Sequence, residues 1–202
     1  MIKIENIITY NHARAIYSAR NAMNSWDKSD SDLENNIVGK NDLVLAQRLY
    51  KAGTEHRKFM RQIFVSMDVT APLYWWKEFD TYKVGTVANS CSTMHKIHAK
   101  KFTTNDFSCD HLNQKGLSTL MIMIAALNTY REEFVKTNDK LWWWQMIQLL
   151  PSSYNQRRTV TMNYENVVNM IHQREGHKLD CWRDFVKVLK ALPHVRAITG
   201  VE

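Results

Sequence analysis

Residues Leu150–Arg183 read LPSSYNQRRTVTMNYENVVNMIHQREGHKLDCWR, and this stretch decides the fold that the sequence predicts. From Arg158 to Met162 polar and apolar residues alternate, which is typical of a strand with one buried face. From Asn163 to Glu175 the apolar residues recur with helical spacing, so we expect an amphipathic helix. The stretch therefore predicts a strand that continues directly into a helix, with Asn163 at the joint.

One side of the predicted helix is polar. Asn166, Asn169 and Gln173 recur at a spacing of three or four residues, on roughly the same side as Arg174. An amide can read the edge of a heterocycle, and a guanidinium offers donors suited to carbonyls and phosphates. A solvated polar face, the default for a surface helix, explains the same spacing, so both interpretations stay open.

The stretch also resembles the C-terminal half of the flavin-dependent thymidylate synthase (ThyX) family. The resemblance runs without a gap over residues 150–174 and rests on L-P at Leu150, T-x-N ending at Asn163, a second asparagine at Asn169 and an arginine at Arg174. It implies that the two asparagines contact FAD and that Arg174 holds the pyrimidine of dUMP. Arg174 would then stabilise negative charge on a pyrimidine carbonyl.

A second block of resemblance lies in the first half of the chain. Its parts follow the family's order: Glu55-His56, a strand that alternation predicts from Phe59 to Val69, Ala71-Pro72, an aromatic helix and Asn89-Ser90-Cys91-Ser92. The family's most specific motif, R-H-R, is absent. Its positions fall on Thr81, Tyr82 and Lys83, and Thr86 stands at the family's serine.

Further departures affect the substrate. Ser90 replaces a glutamate, and Met94-His95 replace an arginine-tyrosine pair. Ile147 replaces another arginine. Met94 and Ile147 stand where family arginines bind the dUMP phosphate, and apolar side chains cannot make charge-assisted hydrogen bonds. The substrate is therefore anchored differently, or it is not dUMP.

The resemblance assigns roles to two groups of residues. Those implied to bind FAD are His56, Lys83, Thr86, Asn163 and Asn169. Those implied to bind the substrate are Glu78, Asn89, Ser90, Ser92 and Arg174, with Arg174 and Ser92 nearest the chemistry. Ser92 would be a binding hydroxyl, because a nucleophile needs an adjacent base that the sequence does not identify.

Composition predicts one folded domain. The chain has 202 residues, 45% of them hydrophobic, with only 3 prolines and 6 glycines. With the resemblance this gives a single α+β domain over residues 1–202 with a ThyX-like fold, a mainly antiparallel sheet flanked by helices. No apolar run reaches membrane-spanning length, and the N-terminus lacks a signal-peptide core, so we expect a cytoplasmic protein.

The charge balance favours an anionic partner. Lys and Arg total 27 against 20 Asp and Glu, with a pI near 9.3. The basic residues are scattered, most densely from His95 to Lys101, whereas nucleic-acid binding predicts a concentrated stripe. A nucleotide satisfies the same electrostatics with fewer contacts.

Cysteine and histidine give weaker signals. The three cysteines are odd in number and widely spaced, which argues against a disulfide framework. Zinc could use residues from the set Cys91, His95, His98, Cys109 and His111, but no C-x-x-C pair is present, so no metal is predicted.

Two helices follow this basic region. The spacing predicts a helix over Leu117–Val135 with Leu120, Met121, Ile124, Leu127 and Phe134 on its buried side. Trp142, Trp143 and Trp144 follow in the next helix, and one helix side cannot bury all three. At least one therefore faces a ligand or a partner subunit, in line with the homotetramer that the resemblance implies.

The last predicted helix spans Leu179–Leu192. Its spacing places four apolar residues on a buried side, namely Trp182, Phe185, Val186 and Leu189.

Three functional classes stay open. The resemblance implies transfer of a one-carbon unit from methylenetetrahydrofolate to C5 of a uracil nucleotide, with reduced FAD as hydride donor and NADPH as co-substrate. With its phosphate arginines lost, the same fold could instead sequester or sense a nucleotide without turnover. A basic nucleic-acid-associated module is the third, weaker class.

Overall fold

Alternation of buried and half-buried side chains defines one of the two central strands of the sheet. The computed structural model describes residues 2–201, and in it Phe64–Pro72 form strand β2. Val65, Met67 and Val69 are buried, whereas the polar residues between them are half-buried, as period-two geometry requires. The strand expected from Phe59 starts later, because Lys58–Gln62 form a 3₁₀ turn.

Three more strands complete a four-stranded sheet. They are β1 (Lys3–Tyr10), β3 (Thr86–Ser90) and β4 (Asn155–Asn163), and the order is β1-β2-β4-β3. Side-chain hydrogen bonds pair Thr161 with Ser66 and Thr159 with Asp68, so β4 runs antiparallel to β2. The predicted α+β class, with a mainly antiparallel sheet flanked by helices, is confirmed.

Helices form much of the remainder of residues 2–201. They are α1 (His12–Ser18), α2 (Lys40–Lys51), α3 (Leu73–Phe79), α4 (Thr93–Lys96), α5 (Gln114–Thr137), α6 (Lys140–Leu149), α7 (Tyr164–Arg174), α8 (Asp180–Lys190) and α9 (Val195–Thr199). Further 3₁₀ turns are Ala19–Met23, Trp26–Lys28 and Thr104–Asp106. Within the described residues no helix is both long and apolar enough to cross a membrane.

The described chain divides into two compact units, the first with residues 2–3, 69–81 and 89–158. Its core surrounds α5 and α6 and contains Ile97, Phe102, Phe107, Leu120, Ile124, Leu127 and Met146. The prediction that Met121 is buried is wrong, because Met121 is 61% exposed. It lies about 100° around the helix from Leu120, on the outer side.

The three successive tryptophans of α6 have different surroundings, as predicted. Trp142 stacks on Tyr130, with ring centroids 5.9 Å apart. Trp143 donates a 2.9 Å hydrogen bond from Nε1 to the Met94 carbonyl. Trp144 is 43% exposed. One large aromatic surface of this helix is therefore left partly open to solvent.

The second unit contains residues 4–68, 82–88 and 159–201. Here α7 packs on α8, and α2 packs on α1 and α9. The predicted buried face of α8 is confirmed: it consists of Trp182, Phe185, Val186 and Leu189. A buried ion pair joins Arg20 to Asp42, whose carboxylate also accepts two serine hydroxyls, so this buried charge is fully paired.

A histidine is buried in the second unit without a polar partner. His12 is 3% exposed, and neither ring nitrogen hydrogen-bonds to any of residues 2–201. Its ring packs edge-on against Tyr164 and His194, with centroids 5.2 and 5.1 Å away. Burial, with a smaller effect from His194, lowers the pKa of His12 from 6.5 to about 4.

We expect this histidine to make the fold sensitive to acid. Between pH 6.5 and 4 the unfolded chain binds a proton at His12 that the folded chain does not, so the free energy of unfolding falls as pH falls. The shift corresponds to a loss of about 3 kcal/mol across that range. Urea denaturation at a series of pH values measures it.

The matched variants are His12→Leu and His95→Leu, since His95 is exposed. The His12 variant should lose about 3 kcal/mol less than wild type between pH 6.5 and 4, whereas the His95 variant should follow wild type. An unchanged pH dependence in His12→Leu would show that His12 is not the titrating group.

Candidate functional site

The joint between β4 and α7 is set by one asparagine. Asn163 ends the strand with extended backbone angles and caps the helix, because its side-chain oxygen accepts the Asn166 backbone N–H at 3.0 Å. Asn163 is also buried, with 9% of its surface exposed. The side-chain oxygen of Asn163 is therefore engaged in the helix cap. The amide nitrogen of the same side chain makes no hydrogen bond with any residue of the described chain.

A segment over residues 82–86 lies along α7 and is held there by Asn166. The Asn166 amide nitrogen donates to the Val84 carbonyl at 2.6 Å and to the Thr86 hydroxyl at 3.0 Å. We call these two bonds the Asn166 bridge. Gly85, at φ +74, fits the approach, because a Cβ there would lie 2.3 Å from the Asn163 amide nitrogen.

The other end of the same segment positions Arg174. Arg174 Nε donates to the Tyr82 hydroxyl at 2.9 Å, and that hydroxyl donates to Gln173 Oε1 at 2.8 Å. The guanidinium carbon lies 4.7 Å from the centroid of the Trp182 ring, within range of a cation–π contact. The guanidinium is thus half-buried with a fixed orientation at the C-terminal end of α7.

Two predicted cofactor residues keep their polar groups available. Asn169 is half-buried on α7, and its amide makes no hydrogen bond within residues 2–201. Lys83 is exposed beside the Asn166 bridge and has no ion pair with any described residue. Unlike the Asn166 amide, the Asn169 amide and the Lys83 ammonium are not bonded to any group of the described chain, so both can bind a ligand.

His56 lies elsewhere in the second unit. It is exposed and lines a cavity of about 320 Å³ with Glu55, Lys58 and Gln62. The neighbouring Arg57 pairs with Glu165 in the first turn of α7 at 2.8 Å. Five of the predicted residues therefore lie on two neighbouring elements. Lys83 and Thr86 are on the segment 82–86, and Asn163, Asn169 and Arg174 are on α7 and its cap. His56 lies in a different cavity.

The predicted substrate residues other than Arg174 belong to the first unit. Ser92 lines a cavity of about 280 Å³, and its hydroxyl caps α4 by accepting the His95 backbone N–H at 3.1 Å. Asn89 and Ser90 are exposed on β3, and Glu78 is half-buried on α3. No titratable side chain of residues 2–201 hydrogen-bonds to Ser92, so its hydroxyl has no general base.

Sequence reasoning missed the partners of Arg174. Tyr82 stood only at a position of the degenerate R-H-R motif, and Trp182 was assigned to the core alone. The signal available was chemical, since a phenol and an indole are common neighbours of a guanidinium. In the described part of the chain, no three His, Cys, Asp or Glu side chains gather as metal ligands.

Known proteins resemble this chain in structure but not in sequence. No protein-family model matches the sequence, and curated protein sequences give no significant match. A crystal structure of thymidylate synthase X (ThyX) from Helicobacter pylori with FAD and dUMP is similar, with TM-score 0.70 and 17% identity over 98% of this chain and 96% of that chain.

A second structure of flavin-dependent thymidylate synthase ThyX from Helicobacter pylori, complexed with FAD and dUMP, has TM-score 0.66 and 17% identity over 97% of this chain and 95% of that one. At such identity the likeness concerns the fold. The predicted ThyX-like fold is therefore confirmed.

Two asparagines one turn apart on α7 should respond differently to truncation. Asn166→Ala breaks the Asn166 bridge and should lower the free energy of unfolding by about 1–3 kcal/mol. Asn169→Ala removes no internal hydrogen bond and should change it by about 0.5 kcal/mol or less. Chemical denaturation of both variants beside wild type measures the contrast, and equal losses would contradict these roles.

Proposed function

We propose that this protein is a ThyX-like flavoenzyme that transfers a one-carbon unit from methylenetetrahydrofolate to C5 of a uracil nucleotide. The observation that carries the proposal is a fold match over nearly the whole of both chains to structures that hold FAD and dUMP. The residue-level resemblance over 150–174 supports it, because that resemblance implies binding roles for Asn163, which caps α7, and for Asn169 and Arg174 on α7.

The described residues fit FAD. Asn169 and the amide nitrogen of Asn163 have hydrogen-bonding capacity that the fold does not use, and Lys83 offers an unpaired charge for a phosphate. Thr86 accepts from Asn166 and retains its own proton to donate. When bound, reduced FAD would supply the hydride, with NADPH as the reductant in turnover.

Arg174 would bind the pyrimidine. Its guanidinium is held by the Tyr82 hydroxyl and the Trp182 ring, so little reorganisation is needed when a carbonyl approaches. A fixed positive charge of this kind stabilises negative charge developing on that carbonyl. The other residues that the resemblance implies for substrate binding, Ser92, Asn89, Ser90 and Glu78, belong to the first unit.

Assembly belongs to the same proposal. Trp144 and Leu141 on α6, and Ile122 on α5, are 43%, 56% and 73% exposed, and subunit contact would bury such apolar side chains. We propose a homotetramer in the cytoplasm. Light scattering distinguishes it from a monomer of 23.8 kDa.

A nucleotide-binding protein without turnover is the second candidate, and specific observations favour it. Met94 and Ile147 replace arginines, and the side-chain oxygens of Asn163 and Thr86 already accept internal hydrogen bonds. Such a protein would bind the nucleotide through Arg174 and sequester or sense it. A nucleic-acid module is not supported by any concentrated basic stripe in the sequence.

We expect the purified protein to bind FAD, become yellow and melt at a higher temperature with excess FAD, because a ligand of the folded state stabilises it by mass action. Asn169→Ala should bind FAD about tenfold or more weakly, since a buried polar group loses its partner. Asn41, which is exposed in the first turn of α2 and does not line the cavity of His56, provides the control Asn41→Ala.

Turnover separates the two candidates. With FAD, NADPH and methylenetetrahydrofolate, the enzyme should convert a uracil nucleotide into a C5-substituted product. Nucleotide binding without product would support the second candidate. A colourless protein whose melting temperature ignores FAD would contradict the flavoenzyme.

A further inference from the structure

The first unit contains a basic cavity of about 280 Å³ beside Ser92. Three lysines of one short stretch line it, namely Lys96, Lys100 and Lys101. Other lining groups that can donate hydrogen bonds are Ser92, Thr93, Tyr154, Gln156 and Arg157. The cavity thus collects cationic and neutral donors, the groups that recognise phosphate oxygens.

The backbone that carries these lysines is held in place at both ends. Ile97 and Phe102 are each 4% exposed and belong to the core around α5 and α6. Asn128 accepts the Phe102 backbone N–H at 2.8 Å and donates to its carbonyl at 2.9 Å. Arg131 donates to the His98 carbonyl at 2.9 Å. The lysines therefore extend from a fixed scaffold rather than from a free loop.

The positive charge of the cavity is not neutralised within the described chain. Lys96, Lys100 and Lys101 form no ion pair with any of residues 2–201. The carboxylate that lines the cavity, Asp106, accepts hydrogen bonds from the backbone and hydroxyl of Thr103, at 2.7 and 2.9 Å. Three ammonium groups against one engaged carboxylate leave an excess of positive charge.

Tyr154 adds a neutral donor. Burial, together with smaller effects of Asp106 and Cys91, raises the pKa of Tyr154 above its ordinary value of 10.0. Its hydroxyl thus stays protonated at neutral pH, and it makes no hydrogen bond to the described residues. A phenol of this kind donates to an anion without adding charge.

We propose that this cavity binds the end of a nucleoside di- or triphosphate. A single phosphate carries about −1.5 to −2 charge at pH 7, which leaves part of the lysine charge unpaired, whereas a longer phosphate chain matches all three lysines. This inference rests on the proposed function for its nucleoside, but the anion site is testable alone. The three lysines would supply the positive charge that the resemblance implies for two arginines at the positions of Met94 and Ile147.

The test is calorimetric titration of the full-length protein with orthophosphate, pyrophosphate and tripolyphosphate, then with dUMP, dUDP and dUTP. We expect pyrophosphate and tripolyphosphate to bind about tenfold or more tightly than orthophosphate, and dUTP more tightly than dUMP. Lys96→Ala/Lys100→Ala should weaken tripolyphosphate binding by about a hundredfold, because each of the two lost charge-assisted contacts is worth about one decade.

Lys136→Ala is the matched control, because Lys136 is exposed on α5 and lines no part of this cavity. It should bind tripolyphosphate like wild type. The proposal is overturned if orthophosphate binds as tightly as tripolyphosphate, if neither binds, or if the control loses as much affinity as the double variant. The residues proposed for FAD do not include these lysines, so failure here and failure of the flavoenzyme are separate results.

Discussion

The Asn166 bridge is the interaction on which the arrangement around α7 depends. It fixes the segment 82–86 against the helix through Val84 and Thr86, at 2.6 and 3.0 Å. The same segment carries Lys83 and Tyr82, and Tyr82 in turn orients Arg174. One amide therefore places the groups proposed for flavin and pyrimidine binding, which explains why the Asn166 amide itself is not available to a ligand.

The cavity proposed for phosphate carries its positive charge on lysines. The resemblance implies phosphate-binding arginines at the positions of Met94 and Ile147, whereas Lys96, Lys100 and Lys101 line this cavity. A lysine is a flexible point charge, whereas an arginine is a planar fork that binds oxygens in pairs. Several lysines therefore supply a large positive charge without the fixed binding geometry of arginine, which suits the phosphate chain proposed for this cavity.

Sequence predicted the regular parts of this structure and missed the long-range contacts. β4 and α7 were predictable because the hydrophobic period changes from two to 3.6 at Asn163, which also has a good capping side chain. β3 was not, because its residues are mostly exposed and carry no alternation. The role of Arg174 is implied by the resemblance, but Tyr82 is 92 residues away in sequence, and only the fold brings their side chains together.

The most direct test of the central claim is calorimetric titration of Arg174→Ala with uracil nucleotides, beside a melting curve and the variant Tyr82→Phe. Loss of the Tyr82 bond and the Trp182 contact should cost about 1–2 kcal/mol of stability. The account predicts, in addition, a loss of nucleotide affinity of about tenfold or more for Arg174→Ala and a smaller loss for Tyr82→Phe. A lower melting temperature with unchanged affinity would show that Arg174 only supports the fold.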